Sequence, residues 1–231
     1  SLGLVGSEMC IRDRVDSEYP DNKLTGATFE VYKDSNANGK LDDGDELLGT
    51  LTEKEIGEYG MNDLFYGRYF VKETKAPEGF VLDTGVYEVM IDTNGKTCEV
   101  ENKAGVGFIN EAMRGNLKIV KTSSDGKVKG FAFRITGANG YDIILETNDK
   151  GEIFIDGLRI GDYTISEVSN SASSMYVLPA DKKATVKLGS TTIVEMHNVL
   201  RDTPKTGDAT NLPLLYALAG LSAVGIAVTA F

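Results

Sequence analysis

Between Val15 and Leu200 the apolar side chains come in short alternating runs, two residues apart, and no stretch holds the 3.6-residue period of a helix. Turn dipeptides break these runs at Asn94-Gly95, Asp125-Gly126, Asn139-Gly140 and Lys150-Gly151. The Asn-Gly between VYEVMIDT and KTCEVEN predicts a tight hairpin. Short strands at this spacing predict an all-β chain of sandwich or barrel domains. The pattern changes only at the end. Leu212 to Phe231 is apolar and carries no charge, long enough to cross a membrane as a helix, since about 20 residues span ~30 Å.

The β region reads as two imperfect copies. Leu24–Val31 (LTGATFEV) aligns with Val128–Ile135 (VKGFAFRI), and Asp63–Glu73 with Asp156–Glu167. Each copy has the length of one small sandwich core. The expected organisation is residues 15–111, residues 112–200, a linker at 201–211 and a transmembrane helix at 212–231. Modules stacked toward a membrane anchor suggest a stalk.

LTGATFEVY (24–32) and YFVKETKAPEGF (69–80) resemble the SpaA-type, or collagen-adhesin (Cna) B-type, domains of Gram-positive pilins and surface adhesins. The second copy keeps GNLKIVK (115–121), 157–167 and VEMHN (194–198), but not the Ala-Pro-Glu-Gly stretch. The resemblance implies two tandem Ig-like, Cna B-type β-sandwich domains. It also implies a spontaneous Lys–Asn isopeptide bond assisted by a buried acid.

Strand parity examines that implication independently. Leu117, Ile119 and Lys121 share a face, as do Tyr163, Ile165 and Glu167, and Val194, Met196 and Asn198. Apolar surroundings disfavour charge, lowering a lysine pKa and raising a glutamate pKa. A neutral Lys121 amine could then attack the Asn198 carboxamide while Glu167 shuttles protons. Singly, each is more often a solvated strand end.

In the first copy, Glu73 shares parity with Tyr69 and Val71 and supplies the acid. Asn110, in line with Val106 and Phe108, is the expected amide; Asn102 is the alternative. The lysine is expected just before Val15, where Arg14 stands, and a guanidinium that stays protonated cannot replace it. Residues 1–14 (SLGLVGSEMCIRDR) share neither period nor composition with the rest of the chain and resemble translated sequencing adaptor. The expectation is therefore a first domain lacking its first strand and its reactive lysine.

Thr203-Pro204-Lys205-Thr206-Gly207, just before the apolar run, resembles a cell-wall sorting signal, with Thr203 where leucine is usual. The resemblance implies that a sortase thiol attacks the Thr206 carbonyl, expels Gly207 and passes the chain to an amine of peptidoglycan or a pilin. The membrane would then hold only the precursor. An ordinary tail anchor is the plainer reading. Such signals normally end in a short basic tail; none comes after Phe231, so the expectation is a fragment cut at both ends.

Asp34, Asn36, Asn38, Lys40, Asp42 and Asp45 fit a calcium-loop pattern, with Gly39 permitting the sharp turn and Lys40 contributing its carbonyl. Asp45 stands where an EF-hand has glutamate. An acidic hairpin loop between Phe29–Lys33 and Leu47–Thr52 is the alternative.

A net charge of −11 without basic clusters argues against nucleic acid as a partner. A single histidine and two cysteines, of which Cys10 lies in the adaptor-like stretch, give no basis for a catalytic triad or zinc site. With no transferase or hydrolase motif, the expectation is a non-enzymatic stalk or adhesion module at the Gram-positive surface, its ligand unnamed. The alternative is a pair of accessory domains from a truncated wall-bound enzyme.

Overall fold

The computed structural model describes residues 6–202. The expected sorting motif and the apolar run at 212–231 lie outside them. Among the described residues no helix is long and apolar enough to cross a membrane.

Domain 1 contains β1 (Ser7–Ile11), β2 (Arg14–Asp16), β3 (Thr28–Lys33), β4 (Glu46–Thr50), β5 (Thr52–Glu55), β6 (Glu58–Leu64), β7 (Gly67–Lys75), β8 (Val86–Ile91), β9 (Thr97–Glu99) and β10 (Phe108–Asn110). Domain 2 contains β11 (Arg114–Ser123), β12 (Ala132–Thr136), β13 (Asp142–Glu146), β14 (Glu152–Arg159), β15 (Gly161–Val168), β16 (Tyr176–Val177), β17 (Lys182–Val186) and β18 (Thr191–Leu200). Domain 2 is a two-sheet sandwich with strand orders β14-β11-β18-β16 and β13-β12-β15-β17. Domain 1 repeats it as β4-β3-β7-β8 against β5-β6-β1-β9, with β2 and β10 forming a separate pair. Each sandwich encloses its own core, centred on Phe29, Val71 and Phe108 in domain 1 and on Leu117, Phe133 and Ile165 in domain 2.

The first strand of domain 1, expected to be missing, is occupied. Ser7–Ile11 pairs antiparallel with β6 and parallel with β9. The reason is plain alternation: Met9 and Ile11 both point inward and are fully buried. Domain 1 therefore begins before residue 15. Together β1 and β2 take the place that β11 holds in domain 2, interrupted at Asp13, which has a positive φ of 41°.

The hairpin expected at Asn94-Gly95 does not form. The turn is present, but β8 and β9 belong to opposite sheets. Cys98 and Val100 are buried, and β9 pairs with β1 rather than folding back on β8. Cys10 and Cys98 are free and buried on these neighbouring strands. The register sets Met9, not Cys10, against Cys98.

Candidate functional site: buried Lys–Glu–Asn clusters

In domain 2 the first and last strands are neighbours and run parallel. Lys121 lies opposite Met196 and Ser123 opposite Asn198. On the facing sheet Phe133 pairs with Glu167. Alternation along β11, β15 and β18 turns Lys121, Glu167 and Asn198 inward, at 1%, 8% and 0% exposure.

The Asn198 amide donates to Glu167 Oε1 at 2.7 Å. The Lys121 ammonium lies over the Phe131 ring, 4.2 Å from its centroid, and donates to the Thr122 carbonyl. Among the described residues no ion pair joins Lys121 to Glu167. Burial lowers the Lys121 pKa, with the charges of Glu167 and Asp125 acting in the opposite sense. Burial also raises the Glu167 pKa, against the pull of the Asn198 hydrogen bond and of Lys121. Both shifts favour the neutral forms, a free amine and a carboxylic acid. Glu167 Oε2 and Asn198 Oδ1 have no protein partner, an uncommon state for buried acceptors.

Domain 1 repeats the arrangement position for position. Arg14 lies opposite Phe108 and Asp16 opposite Asn110, the same two-residue offset that relates Lys121 to Asn198. Phe29 pairs with Glu73 as Phe133 does with Glu167. Arg14 and Glu73 are fully buried and Asn110 nearly so. The Arg14 guanidinium pairs with Glu73 Oε1 and donates to Asn110 Oδ1 from Nη2 at 2.6 Å and from Nε at 3.1 Å. The Asn110 amide donates to Glu73 Oε2 at 3.2 Å and to the Val81 carbonyl at 3.2 Å. Asn102, the other candidate amide, instead exchanges hydrogen bonds with the Ile109 backbone and donates to Asp83.

Two copies of one sandwich, each with a buried cation, acid and amide at matching positions, coincide with a known domain type matched over residues 14–104 and again over 115–199. The chain belongs to the SpaA family of prealbumin-like fold domains. A SpaA relative is the trypsin-resistant surface T6 protein of Streptococcus pyogenes, 29% identical over 172 residues. That match covers 72% of this chain and 28% of the T6 protein, so the SpaA pair described here spans under a third of that relative. Colossin-A of Dictyostelium discoideum is 26% identical over 132 residues, covering 52% of this chain and 1% of that protein. Among solved structures, the Bacillus anthracis TIE protein shares the fold with a TM-score of 0.59 at 23% identity, covering 85% of this chain and 34% of that one.

The acidic loop of the first SpaA domain connects β3 to β4. Its side chains converge, but mostly on one another. Asp34 accepts from the Asn38 and Gly39 N–H groups, both at 3.1 Å, and from Arg68 at 3.3 Å. The Asn36 and Asn38 amides donate to Asp42, and Asp45 accepts from the Ser35 and Asp42 N–H groups. The Lys40 N–H donates to Asn38 Oδ1. Hydrogen bonds from Gly44 and the two asparagines lower the Asp42 pKa. Among the described residues no three His, Cys, Asp or Glu side chains stand close enough together to hold a metal ion. The oxygen-rich donor set suits a hard cation, but one would have to displace hydrogen bonds already made.

Sequence reasoning missed two contributors. Phe131, the seat of the Lys121 amine, reads as ordinary core. Asp83 reads as loop, yet its N–H donates to Glu73 Oε2 at 2.7 Å and helps fix the acid.

Proposed function

We propose that this chain is a structural stalk or adhesion module of a Gram-positive surface protein or pilin, closed internally by an amide between Lys121 and Asn198. The observation that carries this reading is the buried Glu167–Asn198 hydrogen bond in the core that also holds the buried Lys121. The neutral Lys121 amine attacks Cγ of Asn198. The new Nζ–Cγ bond forms as the Cγ–Nδ2 bond breaks. The protonated Glu167 gives its proton to the departing nitrogen and takes one from the attacking nitrogen, so the acid is regenerated and the nitrogen leaves as ammonia. The reaction needs no cofactor and occurs once per chain.

Anchoring belongs to the same proposal. A sortase would cleave between Thr206 and Gly207 and transfer Thr206 to a peptidoglycan or pilin amine, leaving the membrane segment behind. Support comes from the motif itself and from the surface location printed in the name of the T6 relative. Calcium at the β3–β4 loop is the further element. Asp34, Asn36, Asn38, Asp42, Asp45 and the Lys40 carbonyl would hold it, and it would stiffen that connection.

The deciding experiment is the intact mass of the folded protein. It should be lighter than the sequence mass by one ammonia, with peptides around Lys121 and Asn198 recovered as one crosslinked species. A folded protein of full sequence mass would sink the reading.

A further inference from the structure

The sheet edges of the two sandwiches are guarded unequally. In domain 2, β13 ends its sheet and has β12 as its neighbour. The ladder between them is regular, from Ala132 opposite Glu146 to Thr136 opposite Asp142. At one end the Thr147 N–H donates to the Phe131 carbonyl at 3.0 Å, and at the other the Gly137 N–H donates to the Tyr141 carbonyl at 2.9 Å. Hydrogen-bonded rungs alternate in an antiparallel pair. Counted inward from both ends, Ile143 and Leu145 bond to β12, so Asp142, Ile144 and Glu146 aim their N–H and C=O groups away from the sheet. A strand of about 16 Å thus offers a free row of donors and acceptors.

Two comparable edges carry a guard. β4, the counterpart of β13 in domain 1, slips register between Val31 and Tyr32 and holds Gly49 at φ of 141°. Such an irregularity spoils pairing with a further strand. β17, at the far edge of the same sheet as β13, carries Lys182 and Lys183 and is covered by β18. There Thr192 donates to the Thr185 carbonyl at 2.8 Å, and the Lys182 ammonium donates to the Glu195 carbonyl at 2.6 Å. β13 has neither device. Its Ile144 is 57% exposed and its Leu145 37%.

Alternation puts Asp142, Ile144 and Glu146 on the outer face, and Ile143 and Leu145 on the side of Ile135 and Phe133. A second copy of the chain fits this row badly. Antiparallel pairing centred on Ile144 would set Asp142 against Glu146 twice, and each chain carries a net charge of −11. The ion pair of Arg134 with Asp142 leaves Glu146 as the open charge of the row. We propose that β13 accepts an added strand from a basic partner protein, a segment with lysine or arginine at both ends and three apolar residues between them. The middle residue of that segment sits beside Ile144, its inward pair covers Ile143 and Leu145, and its backbone completes the row. The inference does not depend on the amide in the core.

The test is a titration of the folded chain with the capped peptide KVIVK, followed by amide NMR and by hydrogen exchange at Ile144. KVIVK should shift the resonances of residues 142–146 and slow exchange of the Ile144 N–H, whereas the acid-ended peptide EVIVE should do neither. Ile144→Pro should fold normally, because the N–H it removes makes no ladder bond, and should weaken KVIVK binding about tenfold. Glu146→Lys should weaken KVIVK and admit EVIVE. An Ile144→Pro protein that does not fold overturns the inference, because the outward row would then be misassigned. Equal binding of both peptides, or binding that survives Ile144→Pro, overturns it as well. So does a concentration-dependent dimer lost in Ile144→Pro, which would make a second copy the occupant, and so does an absence of shifts with either peptide.

Discussion

Arg159 of domain 2 grips Asp16 of domain 1 with both terminal nitrogens, each 2.5 Å from a carboxylate oxygen. The side chains are only 18% and 3% exposed. Arg159 also pairs with Glu18 and lies 4.8 Å from the Tyr19 ring centroid, while Arg114 pairs with Glu18 from the other side. The linker is pinned to both bodies: the Met113 N–H donates to the Gly79 carbonyl, and the Ile160 N–H donates to the Met113 carbonyl. Such a joint fixes an angle between domains instead of leaving a swivel.

Arg159→Ala should free that joint. Arg159 is partly exposed and Asp16 keeps the Glu18 N–H as a partner, so losing these charge-assisted hydrogen bonds costs about 1.5–3 kcal/mol. Small-angle scattering should then show a broader distribution of end-to-end distances, with each domain still folded. An unchanged scattering profile would mean that the backbone contacts alone hold the angle.

Glu167→Gln keeps the volume of the acid and removes the proton relay. The variant should fold with its full sequence mass. Losing a crosslink that closes a loop from Lys121 to Asn198 costs about 4–5 kcal/mol by the loop-entropy relation. For a domain of this size the melting temperature should fall on the order of 20 °C, readable by calorimetry.

The rate of bond formation should be bell-shaped in pH. The productive pair holds one proton, on Glu167, with the Lys121 amine free. Acid adds a second proton to Lys121 and removes the nucleophile; alkali strips Glu167 and removes the proton donor. Burial lowers the Lys121 pKa and raises that of Glu167. The acid limb therefore lies below the ordinary lysine range and the alkaline limb above the ordinary carboxylate range. Refolding from urea at a series of pH values, with ammonia loss counted by mass, traces both limbs. A rate that climbs without limit toward alkali would remove Glu167 from the chemistry.

Gly151→Ala should damage the wall behind Lys121. Gly151 has φ of +76°, and an added Cβ would come within 2.6 Å of Val128 Cβ and 2.8 Å of the Lys121 carbonyl. Strain and overpacking together should cost about 2–4 kcal/mol. Gly126→Ala, with a similar φ but open space around it, should cost only about 1–2 kcal/mol. Urea unfolding of the two variants separates the clash from the backbone effect.

Calcium, if held at the β3–β4 loop, should raise the melting temperature of domain 1, and Asp34→Ala should abolish the shift. A shift that survives this substitution places the ion elsewhere. Arg68→Gln should strengthen binding by removing the cation that competes for Asp34.

The faces of the strands were legible in the sequence because alternation alone decides them. It turned Lys121, Glu167, Asn198, Glu73 and Asn110 toward the two cores without knowledge of any partner strand. Pairing was not legible to the same degree. VYEVMIDT and KTCEVEN read as a hairpin because each pattern is local, yet β9 is claimed by β1, far away in the chain. Residues 7–11 are foreign by composition, but Met9 and Ile11 suffice to make a strand. The joint at Arg159 and Asp16, 143 residues apart, leaves no local trace at all.

The parallel pairing of β11 with β18 decides how the module behaves when its ends are pulled. Tension entering at Arg114 and leaving at Leu200 meets these two strands in shear, across eight paired positions from Asn116 to Ser123. With the Lys121–Asn198 amide in place, the pull passes from one strand to the other through a covalent bond, and residues 122–197 carry none of it. In domain 1 the same route crosses hydrogen bonds from Arg14 to Asn110. If the proposed amide forms, domain 1, held across this route by hydrogen bonds alone, should give way before domain 2 under rising tension.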